Sequence, residues 1–254
     1  MFKALQARFF QKYRTNVFPD APPNLPEHYR GRPEFEVSAG DESLWQAAAN
    51  VCPVDAVDCG NKTIDLGKCI FCGKCSAANP AIRFTREYRM GTMDRQRLIA
   101  DGKPSELDEQ LQVGIKALCG KSLHIRQVSA GGCAACELDF NVLGTLAWDM
   151  GRFGIKVVAS PRHADAVLVT GPVSLNMQTA LQKTYDAMGD PKLVIACGAC
   201  AISGGIYQTS DKVCAGAEKM LPVDLYVPGC PPHPATLLEA LVRFIGRRRK
   251  DNKA

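Results

Sequence analysis

The stretch Leu123–Glu137, LHIRQVSAGGCAACE, decides the fold of this chain because it joins a strand pattern to a cysteine pair. Its first six residues form a run that is typical of a strand. Two glycines follow, and they let the backbone approach closely any group that Cys133 and Cys136 hold. The stretch predicts a strand that leads directly into a ligand-bearing turn.

Similar apolar runs recur along the second half of the chain. They lie at Ile155–Val158, Ala166–Val169, Leu193–Ala196 and Asp224–Val227. The segments between and after the runs predict helices over 136–152, 174–188 and 234–248. Alternating strands and helices form a parallel sheet with helices on its faces. We therefore predict an α/β fold with a doubly wound parallel sheet.

Four cysteines follow the carboxyl ends of these predicted strands. Cys133 and Cys136 follow the first strand, Cys200 follows the fourth and Cys230 follows the fifth. Open α/β sheets bind ligands along that edge. We predict that the four thiolates bind one 4Fe-4S cluster; the alternative is a group of loop thiols that binds no metal.

A second set of cysteines lies upstream. Cys69, Cys72 and Cys75 form a C-x2-C-x2-C run, and Cys52 precedes Pro53. The bacterial ferredoxin signature is C-x2-C-x2-C-x3-C-P, and in two-cluster ferredoxins the fourth cysteine of each run binds the other cluster. These four cysteines are therefore predicted to bind another 4Fe-4S cluster. A structural zinc site stays open, because four thiolates also suit zinc.

The neighbouring cluster of a two-cluster ferredoxin is predicted to be absent. Glu42, Trp45, Ala48 and Asn79 occupy the four positions that would bind it. The cysteines outside both sets are interpreted as structural thiols; they are Cys59, Cys119, Cys197 and Cys214.

Composition limits the class of protein. The chain has 254 residues, a net charge of +5 and twelve cysteines, with no apolar run long enough to span a membrane and no signal-peptide pattern. We expect a cytoplasmic protein whose cysteines are metal ligands and thiols rather than disulfides. The basic residues concentrate at the chain ends and match no nucleic-acid motif, so we expect no nucleic-acid partner.

The chain divides into four predicted segments. They are an N-terminal amphipathic helix with an extended proline-rich strap (1–40), a small cysteine-bearing unit (41–92), a linker (93–121) and the α/β domain (122–254). In the first segment Phe2, Leu5, Phe9 and Tyr13 share one helix side, and the basic residues Lys3, Arg8 and Arg14 lie mostly elsewhere. Such a helix binds a membrane surface, a partner, or its own protein.

Three stretches resemble one family. SPRHADAVLVTGPV (Ser160–Val173), CGACAISGGIY (Cys197–Tyr207) and PVDLYVPGCPP (Pro222–Pro232) are similar to the small cluster-bearing subunit shared by complex I and the energy-converting, membrane-bound NiFe hydrogenases, including formate hydrogenlyase. The resemblance covers about residues 122–246. It implies a flavodoxin-like fold whose four cysteines bind the 4Fe-4S cluster nearest the active site of an adjoining large subunit.

The N-terminal half resembles a second subunit of the same complexes. HYRGRPEF (His28–Phe35) and LGKCIFCGKC (Leu66–Cys75) are similar to their ferredoxin-like subunit, so the chain looks like a fusion of a small ferredoxin-like α+β domain with the small subunit. The resemblance implies an electron-transfer subunit that serves a NiFe site in a partner. It also implies partners: a NiFe hydrogenase-type or complex I-type large subunit, an electron donor with further Fe-S clusters, and membrane-arm subunits. The complex would place the chain peripherally on the cytoplasmic face of the membrane.

The spacing of the cysteine pair separates two branches of this family. Complex I small subunits typically have adjacent cysteines, whereas Cys133 and Cys136 are spaced and followed by Glu137, as in hydrogenases. Ala135 departs from the Cys-x-Gly-Cys form that is usual in hydrogenases. The alternatives are a complex I-like subunit that delivers electrons to quinone and a non-catalytic zinc-stabilised scaffold.

Three further residues are candidates for a role near the second cluster. Glu137 could relay protons, which would need a raised pKa, or could simply favour the start of a helix through the helix dipole. Arg162 and His163 are either residues that tune the cluster potential or ordinary surface residues.

Overall fold

A computed structural model describes residues 2–12, 14–36, 42–104, 122–190 and 192–246. The chain begins with helix α1 (Phe2–Gln11), which buries none of its residues. Tyr13, which was predicted on its apolar face, lies outside the described residues. Within that described part no helix has the length and apolar character needed to cross a bilayer.

An extended strap follows α1 and is fixed to the body of the protein. The Asn16 N–H donates to the Ala147 carbonyl at 2.6 Å, and Arg152 Nη2 donates to the Phe18 carbonyl at 2.6 Å. Phe18 and Leu25 are buried. The strap ends in the two-residue strand β1 (Pro33–Glu34), whose proline is the first strand residue, a position that needs no ladder N–H.

The small unit contains two short helices and two small sheets. Its elements are α2 (Glu42–Asn50), β2 (Val57–Asp58), β3 (Thr63–Asp65), α3 (Lys74–Ala78), β4 (Arg83–Phe84) and β5 (Ile99–Ala100). Strand β1 pairs antiparallel with β4, and β2, β3 and β5 form an antiparallel sheet in that order. Because β5 lies within the predicted linker, the small unit extends beyond the predicted boundary at residue 92.

A five-stranded sheet forms the second half. Its strands are β6 (Leu123–Ser129), β7 (Ile155–Val157), β8 (Ala166–Thr170), β9 (Leu193–Cys197) and β10 (Leu225–Val227). All neighbours are parallel, and the order across the sheet is β10-β9-β8-β6-β7. Read from the other edge this is the flavodoxin-like order 2-1-3-4-5, whose switch point lies between β6 and β8. The predicted fold class is confirmed.

The helices of this half agree with prediction except for one. Helices α5 (Leu175–Asp186) and α7 (Pro234–Phe244) lie within their predicted spans, separated by the short α6 (Ala199–Ser203). The helix predicted over 136–152 is wrong in length, because α4 (Ala135–Val142) ends early. The Thr145 N–H bonds back three residues to the Val142 carbonyl, and Asp149 has a positive φ, so the chain turns there.

Two apolar clusters cover the two faces of the sheet. Alternate strand residues point to opposite faces, so Val167 and Val169 of β8 belong to one cluster and Leu168 to the other. The first apolar cluster also contains Trp45, Leu66, Ile82 and Leu98 of the small unit. The second contains α7, all eleven residues of which are buried. The small unit therefore shares a core with the sheet.

Candidate iron-sulfur centres

The first cysteine set gathers around one small cavity. Cys52 follows α2, Cys69 and Cys72 lie in the loop that leads into α3, and Cys75 lies in the first turn of α3. All four line the same cavity, together with apolar side chains that include Ile64. Cys69 and Cys75 are buried, whereas Cys72 is exposed. The geometry therefore brings the predicted set together.

The surroundings of this cavity suit thiolates that are compensated by a positive metal centre. Burial raises the pKa of the Cys75 thiol to about 11, and the neighbouring Cys52 and Cys72 add to the rise. Burial also raises the pKa of Cys69. Backbone N–H groups of Phe71 and Ala56 donate to the sulfurs of Cys69 and Cys52, each at 3.3 Å. Such donors orient metal-binding sulfurs and tune the bound cluster.

Arg30 is a residue near this site that the sequence reasoning did not single out. Its Nη1 donates to the Phe71 carbonyl at 3.5 Å. Gly73 has φ of +80°, and a Cβ placed on it would lie 2.7 Å from Arg30 Nε. The guanidinium thus lies directly against the ligand loop. Arg30 lies in the HYRGRPEF stretch that resembles the ferredoxin-like subunit, and this resemblance was the sequence signal that could have identified it.

Three of the four residues that stand at the predicted ligand positions of the neighbouring cluster are core side chains. Trp45, Ala48 and Asn79 are fully buried, and the Trp45 ring packs edge-to-face on Phe35 with centroids 5.0 Å apart. The Trp45 indole N–H and the Asn79 amide N–H₂ have no hydrogen-bond partner among the described residues. Three of the four residues at these positions are thus packed in the core, Glu42 is exposed, and the absence of the neighbouring cluster stays a prediction.

The second cysteine set lies along the carboxyl edge of the five-stranded sheet. Cys133 follows β6, Cys136 lies in the first turn of α4, Cys200 lies in α6 just after β9, and Cys230 follows β10. Burial raises the pKa of the Cys200 thiol to about 12, and charge on the other three cysteines adds to the rise because they lie close by. The carboxyl edge thus collects all four predicted ligands.

Glycines form a cradle around these sulfurs. Gly198 has φ of +87°, and a Cβ there would lie 2.6 Å from the Cys136 sulfur. Gly205 has φ of +54°, and its Cβ would lie 2.9 Å from the Cys200 sulfur. Any side chain at either position would occupy space that the ligands need. The residues present therefore fit a bulky sulfur-ligated group.

Glu137 is held as an ionised carboxylate. Its Oε1 accepts hydrogen bonds from Ser129 Oγ at 2.6 Å and from Thr170 Oγ1 at 2.7 Å. Burial opposes ionisation, but these two bonds outweigh it, and the pKa of Glu137 is lowered. A proton relay needs a raised pKa, so in this chain the direction is opposite to that requirement. The bonds tie α4 to the ends of β6 and β8.

Of the remaining cysteines, Cys59 and Cys214 bond to glutamines, and Cys197 contacts a ligand of the second set. Cys59 donates to Gln46 Oε1 at 3.4 Å, and Cys214 accepts from Gln178 Nε2 at 2.6 Å. Cys197 is fully buried at the end of β9, and a hydrogen bond with Cys136 together with burial raises its pKa. Cys119 lies outside the described residues.

Arg162 and His163 lie at the wrong end of the sheet to tune the second cluster directly. They are exposed in the turn that precedes β8, whereas the cysteines follow carboxyl ends of strands. A five-residue strand separates the two edges by about 16 Å. That distance excludes direct hydrogen bonds from these side chains to the ligand sulfurs, so the potential-tuning alternative is wrong in that form.

The two sulfur sets are neighbours. Ser203 Oγ of α6 donates to the Gly67 carbonyl at 3.0 Å, two residues before Cys69. Gln208 Nε2 donates to the Val54 carbonyl at 3.0 Å, two residues after Cys52. Ile70, Phe71 and Cys230 line one shared cleft. The ligand loops of the two sets therefore contact each other directly.

In the part of the chain that the structure covers, no three His, Cys, Asp or Glu side chains are arranged to bind a single metal ion.

Comparison with known proteins identifies the family of the second half. Residues 133–244 match the model of the NADH ubiquinone oxidoreductase 20 kDa subunit, and this match contains Cys133, Cys136, Cys200 and Cys230. Proteins of this family bind a 4Fe-4S cluster. The match begins at Cys133, so the ferredoxin-like identity of the N-terminal half stays a prediction.

Curated relatives have names from both branches. An NADH-quinone oxidoreductase subunit of Phocaeicola vulgatus is 43% identical over 47% of this chain and 66% of its own length. A protein named as a membrane-bound hydrogenase subunit of Pyrococcus furiosus is 39% identical over 56% of this chain and 87% of its own. Formate hydrogenlyase subunit 7 of Escherichia coli is 40% identical over 56% and 57%. The chain thus spans less than two thirds of the Phocaeicola vulgatus and Escherichia coli relatives and most of the Pyrococcus furiosus relative.

A chain in the solved archaeal membrane-bound sulfane sulfur reductase complex is 33% identical, with 54% of this chain and 81% of that chain covered and a TM-score of 0.45. The match to the family model and the 39% identity across most of the Pyrococcus furiosus relative settle the assignment. The chain belongs to the family of the 20 kDa subunit of NADH ubiquinone oxidoreductase.

Proposed function

We propose that this chain is an electron-transfer subunit that binds two 4Fe-4S clusters. Cys52, Cys69, Cys72 and Cys75 would bind the first cluster, and Cys133, Cys136, Cys200 and Cys230 the second. The chain would relay electrons to or from the NiFe site of a partner large subunit, which reduces protons or oxidises hydrogen. The small unit would act as a fused ferredoxin-like domain that has lost one cluster.

One observation carries this proposal: the ligand loops of the two sulfur sets touch. The Ser203 and Gln208 hydrogen bonds hold the loops of the second set against those of the first. A bound 4Fe-4S cluster supplies reversible uptake of electrons at a potential that its surroundings set. Two such centres on contacting loops form a path through the chain.

The protein's own residues would set the potentials. The N–H groups of Phe71 and Ala56 donate to the sulfurs of the first set. The Ile206 N–H bonds to Cys200 in the second. Hydrogen bonds to cluster sulfurs favour the reduced, more negative form. Burial acts in the opposite sense, so the balance at each site decides which centre holds the electron.

The exposed side of the second set would face the large subunit. Cys133 and Cys230 are exposed, and Leu138 of α4 is 64% exposed beside Cys136. Exposed ligands suit a protein interface, because a bound partner would cover them and exclude water. The other proposed partners are an electron donor with further Fe-S clusters and membrane-arm subunits. That complex would hold the chain on the cytoplasmic face of the membrane.

Delivery of electrons to quinone is the second candidate function. The 43% identity to the NADH-quinone oxidoreductase relative from Phocaeicola vulgatus favours it. The spaced Cys133 and Cys136, with Glu137 after them, favour the hydrogenase branch. The spacing concerns the ligands themselves, so it carries more weight here than overall identity.

The test is to purify the native complex and identify its large subunit. We expect a subunit with cysteine pairs that bind nickel, nickel in the preparation, and hydrogen turnover with a redox dye. Quinone reduction without nickel or hydrogen turnover would favour the second candidate. Zinc in the isolated chain, without iron or labile sulfide, would instead support a scaffold and overturn the electron-transfer proposal.

A further inference from the structure

Helix α1 presents a large apolar surface that its own fold does not use. Its exposed fractions are 86% for Phe2, 61% for Leu5, 80% for Phe9 and 77% for Phe10. None of its ten residues is buried. Soluble proteins expose single apolar side chains often, but a cluster of three phenylalanines and a leucine on one short helix marks a binding surface.

The strap fixes where this helix can act. The chain is attached to the body at Asn16, through its N–H bond to the Ala147 carbonyl at 2.6 Å. Exposed apolar residues stand next to both bonded residues, since Val17 is 60% exposed and Leu146 is 81% exposed. Further exposed apolar side chains therefore lie where the strap is attached to the body.

The charges around α1 are all of one sign. Lys3, Arg8, Lys12 and Arg14 are basic, and the first acidic residue of the chain is Asp20. At about 100° per residue, the apolar side chains from Leu5 to Phe10 span an arc of about 140°. Lys3 borders one side of that arc and Arg8 the other. Long basic side chains at the edges of an apolar arc can reach a headgroup layer while the arc enters the acyl boundary.

We infer that α1 lies on an anionic lipid bilayer, so that this chain touches the membrane itself and not only through partners. The charge pattern selects this occupant. A second copy would bring basic edges against basic edges, with no acidic residue in α1 to pair with them. Anionic headgroups complement both edges at once. The inference concerns attachment and is independent of the proposed electron transfer.

Flotation of the full chain with its clusters tests the inference. The vesicles are made of mixed phosphatidylglycerol and phosphatidylcholine, or of phosphatidylcholine alone. We expect binding to the anionic vesicles and much weaker binding to the neutral ones. Replacing Phe2, Phe9 and Phe10 by Ser should abolish flotation, since each ring contributes roughly tenfold. Iron content should not change, because α1 has no buried residue.

A double charge substitution in α1 and a matched control elsewhere separate binding to anionic lipid from nonspecific adsorption. Lys3→Gln with Arg8→Gln should lower the vesicle partition on the order of 25-fold, about fivefold for each charge. Lys156→Gln with Lys183→Gln removes two exposed charges elsewhere and should leave the partition unchanged. The inference is overturned if the wild-type chain fails to float with anionic vesicles. It is also overturned if the phenylalanine variant floats equally, or if α1 instead mediates dimers or capture of a protein partner without lipid binding.

Discussion

Replacing Gly198 by Ala should remove the second cluster and leave the first intact. Gly198 connects β9 to α6 with φ of +87° and ψ of 160°, a backbone conformation that is essentially restricted to glycine. The added methyl would point at the ligand, because a Cβ at this position lies 2.6 Å from the Cys136 sulfur. The substitution therefore strains the backbone and displaces a ligand at the same time.

The two effects can be given magnitudes. A non-glycine residue held in this conformation costs about 1–3 kcal/mol. Ordinary van der Waals contact begins at 3.4 Å, so the Cys136 sulfur would have to move by about 0.8 Å. Metal sites tolerate ligand displacements of about 0.2 Å. Displacement of the ligand, more than the strain, should therefore decide the outcome, and the second cluster should not assemble.

Iron and labile sulfide analysis, with electron paramagnetic resonance of the reduced chain, measures this result. We expect half the wild-type iron and loss of one of two signals. Gly189→Ala is the matched control, because a Cβ there meets nothing within 4 Å and φ is not positive. It should keep all the iron. Full iron and both signals in the Gly198→Ala chain would refute the assignment of Cys136 as a ligand.

Three further predictions concern the first cluster, the core and pH. Cys72→Ser should halve the iron and keep the second cluster's signal, whereas Cys59→Ser should keep all the iron. Arg243→Met should lower the free energy of unfolding in urea by about 3–5 kcal/mol, because it leaves Glu239 buried without the partner that bonds it at 2.8 Å. Burial lowers the pKa of His233 below its usual 6.5, so the unfolded chain binds more protons than the folded chain. Stability should therefore fall as pH drops from 7 to 5. His233→Asn keeps the helix cap and should flatten this pH dependence in thermal melts.

Each of these has a clear contrary result. Full iron in the Cys72→Ser chain would remove Cys72 from the ligand set. A loss below about 1 kcal/mol for Arg243→Met would show that solvent reaches Glu239. Equal acid sensitivity with and without His233 would place the titrating group elsewhere.

The sheet could be predicted because each of its strands is an apolar run that can be recognised in the sequence by itself. Val167 to Val169 are apolar on both faces, as a central strand of a parallel sheet must be, and the intervening segments had helical length. The helix predicted to reach residue 152 is too long, because the chain makes an i to i+3 bond at Val142 and Asp149 takes a positive φ. Apolar periodicity does not reveal either of these local departures from the helix.

The cysteine sets were predictable from spacing, but their relation was not. That Ser203 would bond the Gly67 carbonyl depends on tertiary packing between segments 136 residues apart. The same holds for Arg30, whose guanidinium reaches Gly73 across the fold. Glu137 shows a further limit, because its lowered pKa depends on hydroxyls from two different strands.

The central claim is that this chain holds two 4Fe-4S clusters, and metal stoichiometry tests it most directly. The anaerobically purified wild-type chain should contain iron and acid-labile sulfide in equal amounts, four of each for each cysteine set. Cys72→Ser and Cys133→Ser should each remove half. Zinc without sulfide, or iron that amounts to one cluster and is lost entirely in either variant, would contradict it.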